Sequence, residues 1–338
     1  MTALIDKVLR SAKNLKKYNI LCVPTHEAYE TGLAKTGHNF YALDRGIYPQ
    51  FNLKFWNTNY RPRPDNYQII KTKEFPISVG FDFVLSQNKC GQYQLLSQLA
   101  HQYNLPLISL EHTLPVPNNQ RMLIEYGNMR GDFNVFISEY SMEKWGFDSL
   151  NEDTWVIHHG IDTETFKPAE VEKDGAVLSV VNDWVNRDWC CNFSGWNRTV
   201  KGLKVRVVGD TPGLSLPATN LEELVSAYQS CSVFYNTSTI SPVPTALMEA
   251  MSCGAACVST ATCMIPEIIK NGYNGFISND ESELRKYLEL LLNDRDLAEE
   301  MGANARKTIE TNFNQNQFIN RWNMLFEDTY NTIYGVEK

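Results

Sequence analysis

The sequence predicts an α/β fold of two doubly wound parallel-sheet domains that face a cleft. Short apolar runs alternate with amphipathic helical segments along nearly all of the 338 residues, an order typical of parallel sheets covered by helices. A charged segment with Pro and Gly, residues 167–175, interrupts this order once and predicts a linker between two domains. The 43% of apolar residues can fill large cores, which excludes global disorder.

The first series of elements lies before the linker. Apolar runs predict strands at residues 18–24, 39–43, 81–86, 105–110, 134–138 and 154–158. Helical periodicity predicts helices at residues 2–17, 27–36, 92–103 and 139–145. The helix at 2–17 is basic and amphipathic, and we expect it to pack by its apolar stripe, with contact to an anionic surface as the alternative. Residues 46–73 are rich in aromatic side chains, Pro and Arg, and predict an irregular stretch.

The second series lies after the linker. Apolar runs predict strands at residues 176–181, 204–208, 232–236, 256–260 and 275–277. Helical periodicity predicts helices at residues 221–229, 244–253, 266–270, 282–293, 296–310 and 315–333. Because ligands of doubly wound sheets bind outside the carboxyl ends of the strands, we expect the functional site between the domains.

The net charge of −8 conceals an uneven distribution. Residues 1–75 contain 12 Lys and Arg against 6 Asp and Glu, whereas the remaining residues contain 19 against 33. This asymmetry is a hint of an anionic partner for the N-terminal part. The eight Cys residues lack paired metal-ligand spacing, so we expect reduced thiols and no metal site. No secretory signal or membrane-spanning run is evident, so we expect a cytoplasmic protein.

The most informative segment is residues 241–277. A loop with two prolines leads into a helix that begins near Thr245, where free N–H groups and the helix dipole suit a phosphate. Glu249 lies one turn further along, in reach of the hydroxyl groups of a sugar attached to that phosphate. A solvated helix residue is the alternative, but the flanking residues are apolar, and a carboxylate in such a setting needs a partner.

This segment resembles the nucleotide-binding half of the GT-B glycosyltransferases, in particular the retaining type of family four. The matching features are Glu249-Ala250-Met251, Gly254, the strand at 256–260, Pro266-Glu267, Gly272 and Gly275. The resemblance implies that Glu249 holds the nucleotide ribose and that the backbone around Thr245 and Ala246 holds the diphosphate. It also implies that transfer retains the configuration at the anomeric carbon and that transfer needs no metal ion. It further implies an acceptor domain at 1–166, a nucleotide-sugar domain at 167–311, and a helix in 312–338 that crosses back to the first domain.

Ser241 departs from the family pattern, which has a Glu at this place that contacts the donor sugar. The change leaves nucleotide binding intact and leaves the sugar open, with a pentose or another unusual sugar as candidates. A catalytically silent protein that binds nucleotide sugars is the competing class.

Residues 105–113 resemble the strand that delivers a His to the cleft in this family. By this resemblance His112 contacts the donor sugar and helps to stabilise an oxocarbenium-like transition state. A structural histidine held by the neighbouring Glu111 is the alternative. His26 and Glu27 follow the first strand, where the family commonly has a Gly-rich loop. They are predicted to contact the acceptor, with Glu27 as a base, and a helix cap is the alternative role for Glu27.

A diphosphate leaving group needs positive charge. The family often uses an Arg and a Lys after the first strand of the second domain, where this chain has Asn182-Asp183. Arg187 is the nearest cation and is our prediction, with Arg198 and Lys201 behind it. A surface salt bridge is the alternative role for Arg187.

In residues 48–73 aromatic rings alternate with cations, a pattern that suits bases and phosphates. The predicted acceptor-binding residues are Lys54, Trp56, Tyr60, Arg61 and Arg63. A cover for the edge of the domain is an equally weighted alternative. We expect transfer from a nucleotide diphosphate sugar, with a UDP-sugar favoured, to a hydroxyl group of an anionic acceptor. Hydroxymethylated cytosine in DNA is slightly favoured over a lipid or surface polysaccharide, and a DNA-binding accessory protein is a further alternative.

Overall fold

The computed structural model describes residues 16–44, 56, 58, 60–71 and 78–335. Within these segments the chain forms two sheets, one of seven strands and one of five, in which every strand pair is parallel. The predicted class of two doubly wound α/β domains is therefore confirmed. Of the helix predicted at 2–17, only Lys16 and Lys17 fall within the described residues, and neither is helical.

The first sheet has the strand order β3-β2-β1-β4-β5-β6-β7. Its strands are β1 Asn19–Cys22, β2 Asn39–Asp44, β3 Tyr67–Lys71, β4 Phe83–Ser86, β5 Leu107–Glu111, β6 Phe133–Phe136 and β7 Thr154–Val156. Its helices are α1 Glu27–Ala34, α2 Tyr93–Tyr103, α3 Gln120–Gly127 and α4 Glu139–Lys144. The central strands β4, β5 and β6 are buried along their whole length, which explains their continuous apolar runs.

The second sheet has the order β12-β11-β10-β8-β9. Its strands are β8 Val177–Val180, β9 Val205–Val208, β10 Val233–Asn236, β11 Ala256–Ser259 and β12 Phe276–Ile277. The remaining helices are α5 Asp188–Cys191, α6 Phe193–Thr199, α7 Leu221–Ser230, α8 Thr245–Ser252, α9 Ile265–Ile268, α10 Glu281–Asn293, α11 Arg295–Asn312 and α12 Gln315–Tyr334.

Both sheets reverse their strand order near the middle. In the first sheet the chain builds outward from β1 through β2 and β3, and then crosses to β4 on the other side. Ile20 of β1 lies opposite both Phe40 and Phe83, so the three strands end at one edge. In the second sheet the same reversal separates β8 from β10. Each reversal opens a crevice at the carboxyl ends of the strands, where ligands of such sheets bind.

Helix α12 packs on the first domain although it follows the second domain in sequence. The indole Nε1 of Trp322 donates to the hydroxyl of Tyr29 over 3.2 Å, and Trp322 is fully buried. Gly160 allows this crossing, because a Cβ there would lie 2.5 Å from the Cβ of Phe318. The two domains thus share one apolar core across the junction.

Four elements were not predicted from the sequence. Strand β3 pairs only with β2 and exposes Gln68 and Lys71, so it lacks the apolar run of a central strand. Helix α3 is short and has no fully buried residue, and Met122 and Tyr126 pack only partly covered against a small cluster that contains Trp145. Helices α5 and α6 are short and are separated by Asn192 at φ +51°. Asn in this left-handed backbone conformation is typical of turns, so the segment was expected to be a loop.

All eight cysteines are free thiols, and six of them are buried. None of the helices in the described parts of the chain combines the length and the apolar character needed to span a bilayer.

Candidate active site

The carboxyl edges of the two sheets meet across the domain junction. Thr245, which begins α8 after β10, offers its Oγ1 to the Nδ1 of His159, which follows β7, over 3.3 Å. The hydroxyl of Tyr60 in the first domain donates to the carbonyl oxygen of Ala218, in the loop after β9. We call the space at these facing edges the cleft.

The tip of α8 presents backbone N–H groups to the cleft. Pro244 is the N-cap residue and makes no side-chain cap, while its carbonyl oxygen accepts from the N–H groups of Leu247 and Met248. The N–H groups of Thr245 and Ala246 belong to the first turn, where a helix has no internal acceptors for them. Together with the helix dipole, these donors suit an anion such as a diphosphate.

Two imidazole rings line the first-domain side of the cleft. His112 and His159 lie 6.0 Å apart between ring centroids, and the ring of Tyr29 packs against both, at 4.4 and 5.2 Å. The Nε2 atoms of both histidines are buried and have no hydrogen-bond partner among the described residues. Burial, reinforced by neighbouring histidines, lowers the pKa of His112 to about 3 and of His159 to about 4. Both rings are therefore neutral at neutral pH, and each ring can donate one hydrogen bond and accept another.

Buried hydrogen bonds hold the segment around His112 in place. The carboxylate of Glu111 accepts from the N–H of Lys89 over 2.8 Å and from the N–H and hydroxyl of Thr113, each over 2.7 Å. Glu111 therefore fixes the backbone on both sides of the loop, and these hydrogen bonds go to Lys89 and Thr113 rather than to the imidazole of His112. Burial raises the pKa of Glu111, and it lowers the pKa of Lys89 to about 8.

Glu249 lies one turn below the tip of α8 and is only 7% exposed. Its Oε2 accepts from the hydroxyl of Tyr228 over 2.9 Å, and its Oε1 faces the Nη2 of Arg61 at 3.4 Å. Burial raises the pKa of the Glu249 carboxyl, and Arg61 and Tyr228 oppose that shift. The carboxylate thus has the partner that its apolar neighbours require.

The predicted acceptor-binding residues are used largely at the junction. Arg61 reaches Glu249, Tyr60 bonds to Ala218, and the indole of Trp56 donates to the carbonyl oxygen of Arg61 over 2.8 Å. Both rings pack against the shared apolar core. Arg63 is exposed, and Lys54 lies outside the described residues. The described rings therefore form no exposed stacking platform.

The loop after β1 is ordered by a buried carboxylate that the sequence did not indicate. Glu30 accepts from the N–H of Thr25 over 2.8 Å, from the hydroxyl of Tyr67 over 2.7 Å and from the amide of Gln87 over 2.9 Å. Residue 26 at the end of this loop is the N-cap of α1, and its imidazole Nδ1 accepts from the N–H of residue 28 over 3.2 Å. The capping role that we considered for Glu27 is thus performed by its neighbour.

His26 itself is 66% exposed, and its Nδ1 lies 3.8 Å from the carboxylate of Glu27, whose side chain is largely covered. Both residues lie beyond the carboxyl end of β1, with His26 open to solvent and Glu27 largely covered.

The three predicted diphosphate cations are not brought together. Arg187 stays beside the loop after β8, where its Nη1 donates to the carbonyl oxygen of Asn182 over 3.3 Å. Arg198 forms an exposed bidentate pair with Glu281, at 2.6 and 2.9 Å. Lys201 lies in the turn that leads to the amino end of β9, away from the carboxyl edge. Arg198 and Lys201 thus do not lie at the carboxyl end of β8, where a cation for the diphosphate was predicted.

Ser241 is partly exposed in the loop between β10 and α8, on the path to the α8 tip. His159 was not among the predicted site residues, yet it contacts Thr245 directly. The signal that could have selected it is the one that selected His112, a histidine just beyond the carboxyl end of a buried strand.

A cluster of three ionisable side chains links the domains beside the cleft. Glu139 and His158 of the first domain pair at 2.8 Å between Oε2 and Nε2, and Glu267 of α9 lies against them. Ligand-type atoms of all three lie within 4.8 Å of one another. His158 lowers the pKa of Glu139 to about 2, whereas burial and the charge of Glu139 raise the pKa of Glu267 to about 7.

Residues 215–308, less than a third of the chain, match the family model described as Glycosyl transferases group 1. The matched range contains α8 with Thr245 and Glu249. Over 84 residues the chain is 30% identical to the N-acetyl-alpha-D-glucosaminyl L-malate synthase of Bacillus anthracis, which is 24% of this chain and 22% of that protein. The chain matches about a fifth of the length of the curated relatives.

Two solved structures resemble nearly the whole chain. The sucrose-phosphate synthase of Thermosynechococcus elongatus has a TM-score of 0.75 at 14% identity, covering 94% of this chain and all of that one. HepE of Anabaena, in complex with UDP and glucose, has a TM-score of 0.74 at 13% identity, covering 92% of this chain and 99% of that one. At such identities the likeness concerns the fold, and the predicted GT-B fold is confirmed.

Proposed function

We propose that the chain is a glycosyltransferase that moves a sugar from a nucleotide diphosphate sugar, preferably a UDP-sugar, to a hydroxyl group. The observation that carries the proposal is the arrangement at the α8 tip. N–H donors suited to a diphosphate lie one turn from the buried carboxylate of Glu249 and directly against His159. The group 1 match over 215–308 and the UDP and glucose bound by HepE support this assignment.

In the proposed reaction, the bond between the anomeric carbon and the diphosphate oxygen breaks. The acceptor oxygen then bonds to the same face of the sugar, and its proton passes to the leaving phosphate. The N–H groups at the α8 tip stabilise the charge that the leaving group gains. We assign to His112 hydrogen bonds with the sugar hydroxyls, because its ring is neutral and its Nε2 has no hydrogen-bond partner among the described residues. Retention at the anomeric carbon and independence from metal ions are part of the proposal.

For the acceptor, we propose a hydroxyl group of a saccharide or lipid rather than of DNA. The DNA expectation rested on rings and cations free to stack on bases and hold phosphates. Trp56, Tyr60 and Arg61 are instead committed to hydrogen bonds and an ion pair at the junction. Arg63, with the exposed His26 and the adjacent Glu27, is the acceptor-side set that these contacts leave available.

The test is release of UDP from a panel of UDP-sugars, crossed with hydroxymethylated duplex DNA, unmodified DNA, anionic lipid vesicles and oligosaccharides. We expect acceptor-dependent UDP release that persists in a chelator, and an α-configured product from an α-linked donor, measured by NMR. An inverted product contradicts retention alone. Loss of activity in the chelator contradicts metal independence alone, and glycosylated DNA contradicts the acceptor assignment.

Ser241 supports a second candidate, a catalytically silent protein that binds nucleotide sugars, because the family's donor-sugar carboxylate is missing there. Slow hydrolysis of the UDP-sugar without any acceptor separates the two candidates. An active enzyme hydrolyses its donor, whereas a silent protein binds UDP and leaves every donor in the panel intact.

A further inference from the structure

We propose that Arg61 makes the nucleotide site a two-domain site, by orienting the Glu249 carboxylate and keeping it charged for the ribose. This inference rests on the proposed function, because it assigns a positioning residue to the same site. Glu249 belongs to the second domain, while Arg61 reaches it from a segment 188 residues earlier in the chain. Arg61 contacts the carboxylate that is proposed to bind the ribose, so its proposed role is to prepare that group.

The contact is half-buried and directional. The side chain of Arg61 is 16% exposed and that of Glu249 is 9% exposed, with 3.4 Å between Nη2 and Oε1. Two neighbouring bonds hold the Arg61 segment in place, one from the indole of Trp56 to the carbonyl of Arg61 and one from Tyr60 to Ala218. Because the backbone that carries the guanidinium is held in this way, the side chain loses less conformational entropy when it pairs with a carboxylate.

The ion pair with Arg61 leaves Glu249 able to bind the ribose. An ionised carboxylate has about four acceptor positions. Tyr228 occupies one on Oε2 and Arg61 one on Oε1, so positions remain on both oxygens for the two ribose hydroxyls. A buried carboxyl without a cation tends to take up a proton, and a protonated carboxyl accepts fewer hydrogen bonds.

Other ionisable groups near α8 do not replace Arg61. Besides Arg61, the ionisable groups that interact with Glu249 are Tyr228 and Cys253, and Cys231, Cys257 and Arg306 lie next to Cys253. Burial raises the pKa of the phenol and of the three thiols, so all four are neutral at neutral pH. Arg306 donates to the carbonyl oxygens of residues 166 and 252 and not to Glu249. Among the described residues, Arg61 is the cation within ion-pair distance of this carboxylate.

The experiment measures the affinity for UDP of the full chain and of R61Q and R61K by calorimetry, at about pH 8 and about pH 6. R206Q is the matched control, because Arg206 forms a half-buried ion pair with Asp174, at 3.1 Å, near the amino end of β9. We expect R61Q to bind UDP about tenfold more weakly at the higher pH. Its loss should grow at the lower pH, because an unpaired Glu249 takes up a proton more readily. R61K should keep most of the affinity and the wild-type pH profile.

Equal UDP affinity of R61Q and wild type at both pH values overturns the inference. So does tighter binding by R61Q, since Arg61 would then obstruct the site, and so does an equal loss in R61K. A similar loss in R206Q would indicate a general effect of losing an ion pair and would also overturn it. If the folded wild type binds no UDP at all, the proposed function fails as well, which separates that failure from the failure of this inference alone.

Discussion

Replacing Glu249 with Gln removes the charge at the centre of the nucleotide site while keeping its shape. The side chain lies in a well-packed pocket, where its carboxylate accepts from Tyr228 at 2.9 Å and faces Arg61 at 3.4 Å. A hydrogen bond to a charged group contributes about 1.5–3 kcal/mol, more than a neutral one. Against about 1 kcal/mol for a neutral hydrogen bond, the loss is about 0.5–2 kcal/mol for each of the two ribose hydroxyls, which together predict roughly 10- to 100-fold weaker binding of UDP.

The effect on folding should be small, because the change also relieves the burial of a charge. We expect the apparent melting temperature of E249Q to change by less than about 4 °C. Calorimetric titration with UDP, paired with thermal unfolding, measures both quantities. E310Q is the control, since Glu310 also pairs with an arginine of the second domain, Arg306, at 2.7 Å, but on the surface. Unchanged UDP affinity in E249Q would refute the ribose-binding role, and an equal loss in E310Q would show that the loss is not specific.

Three further predictions follow from the cleft, the core and the domain junction. H112A should turn over roughly 100-fold more slowly while keeping its affinity for UDP. The rate of the wild type should show no titration of the His112 ring between about pH 5 and 9, because the pKa of this ring is about 3. A normal rate in H112A would return His112 to a structural role. G302A should lose roughly 1–3 kcal/mol of stability in denaturant titrations, because its Cβ would lie 2.2 Å from the carbonyl oxygen of Gly254. G127A, whose Cβ has room, is its control, and equal stability of the two variants contradicts the packing argument. The pKa of Glu267 is raised to about 7 in the folded protein, so its stabilising contribution is present below about pH 4.5 and is lost as the pH rises through 7. E267Q should remove that part of the pH dependence of the melting temperature, and an unchanged dependence contradicts the assignment.

The buried part of the fold was predictable because burial leaves a direct mark on the sequence. Central strands such as β4 and β10 are covered on both faces and appear as apolar runs. Strand β3 lies at the edge of its sheet, follows a Pro-rich stretch and buries only Tyr67 and Ile70 of its five residues, so it lacks the apolar run of a central strand. Helix α3 has only eight residues and no fully buried side chain, and its Met122 and Tyr126 contribute only partly covered side chains to a small cluster. Elements that contribute little to the core leave little signal.

Individual residues of the candidate site could be predicted from the sequence, but the contacts between them could not. Glu249 and His112 were selected by their places on a helix and after a strand, and both lie at the cleft. The contact of Arg61 with Glu249 spans 188 residues and depends on how the two domains dock, which local patterns do not encode. Arg198 was selected for its closeness in sequence to β8, yet the helix that carries it runs away from the carboxyl edge, and its charge is satisfied by Glu281.

The basic character of the N-terminal part has a different meaning once the ion pairs are known. Its excess of cations suggested an anionic acceptor, yet three of those cations pair with carboxylates further along the chain. Lys16 lies 3.8 Å from Asp82, Lys35 lies 2.8 Å from Asp162, and Arg61 lies 3.4 Å from Glu249. Each of these carboxylates belongs to the acidic remainder of the chain, so part of the asymmetry is neutralised within the molecule. A charge count along the sequence indicates an external partner only for the cations that such pairing leaves unpaired. The charge split therefore supports the docking of the N-terminal part onto the rest of the protein at least as well as it supports an anionic acceptor.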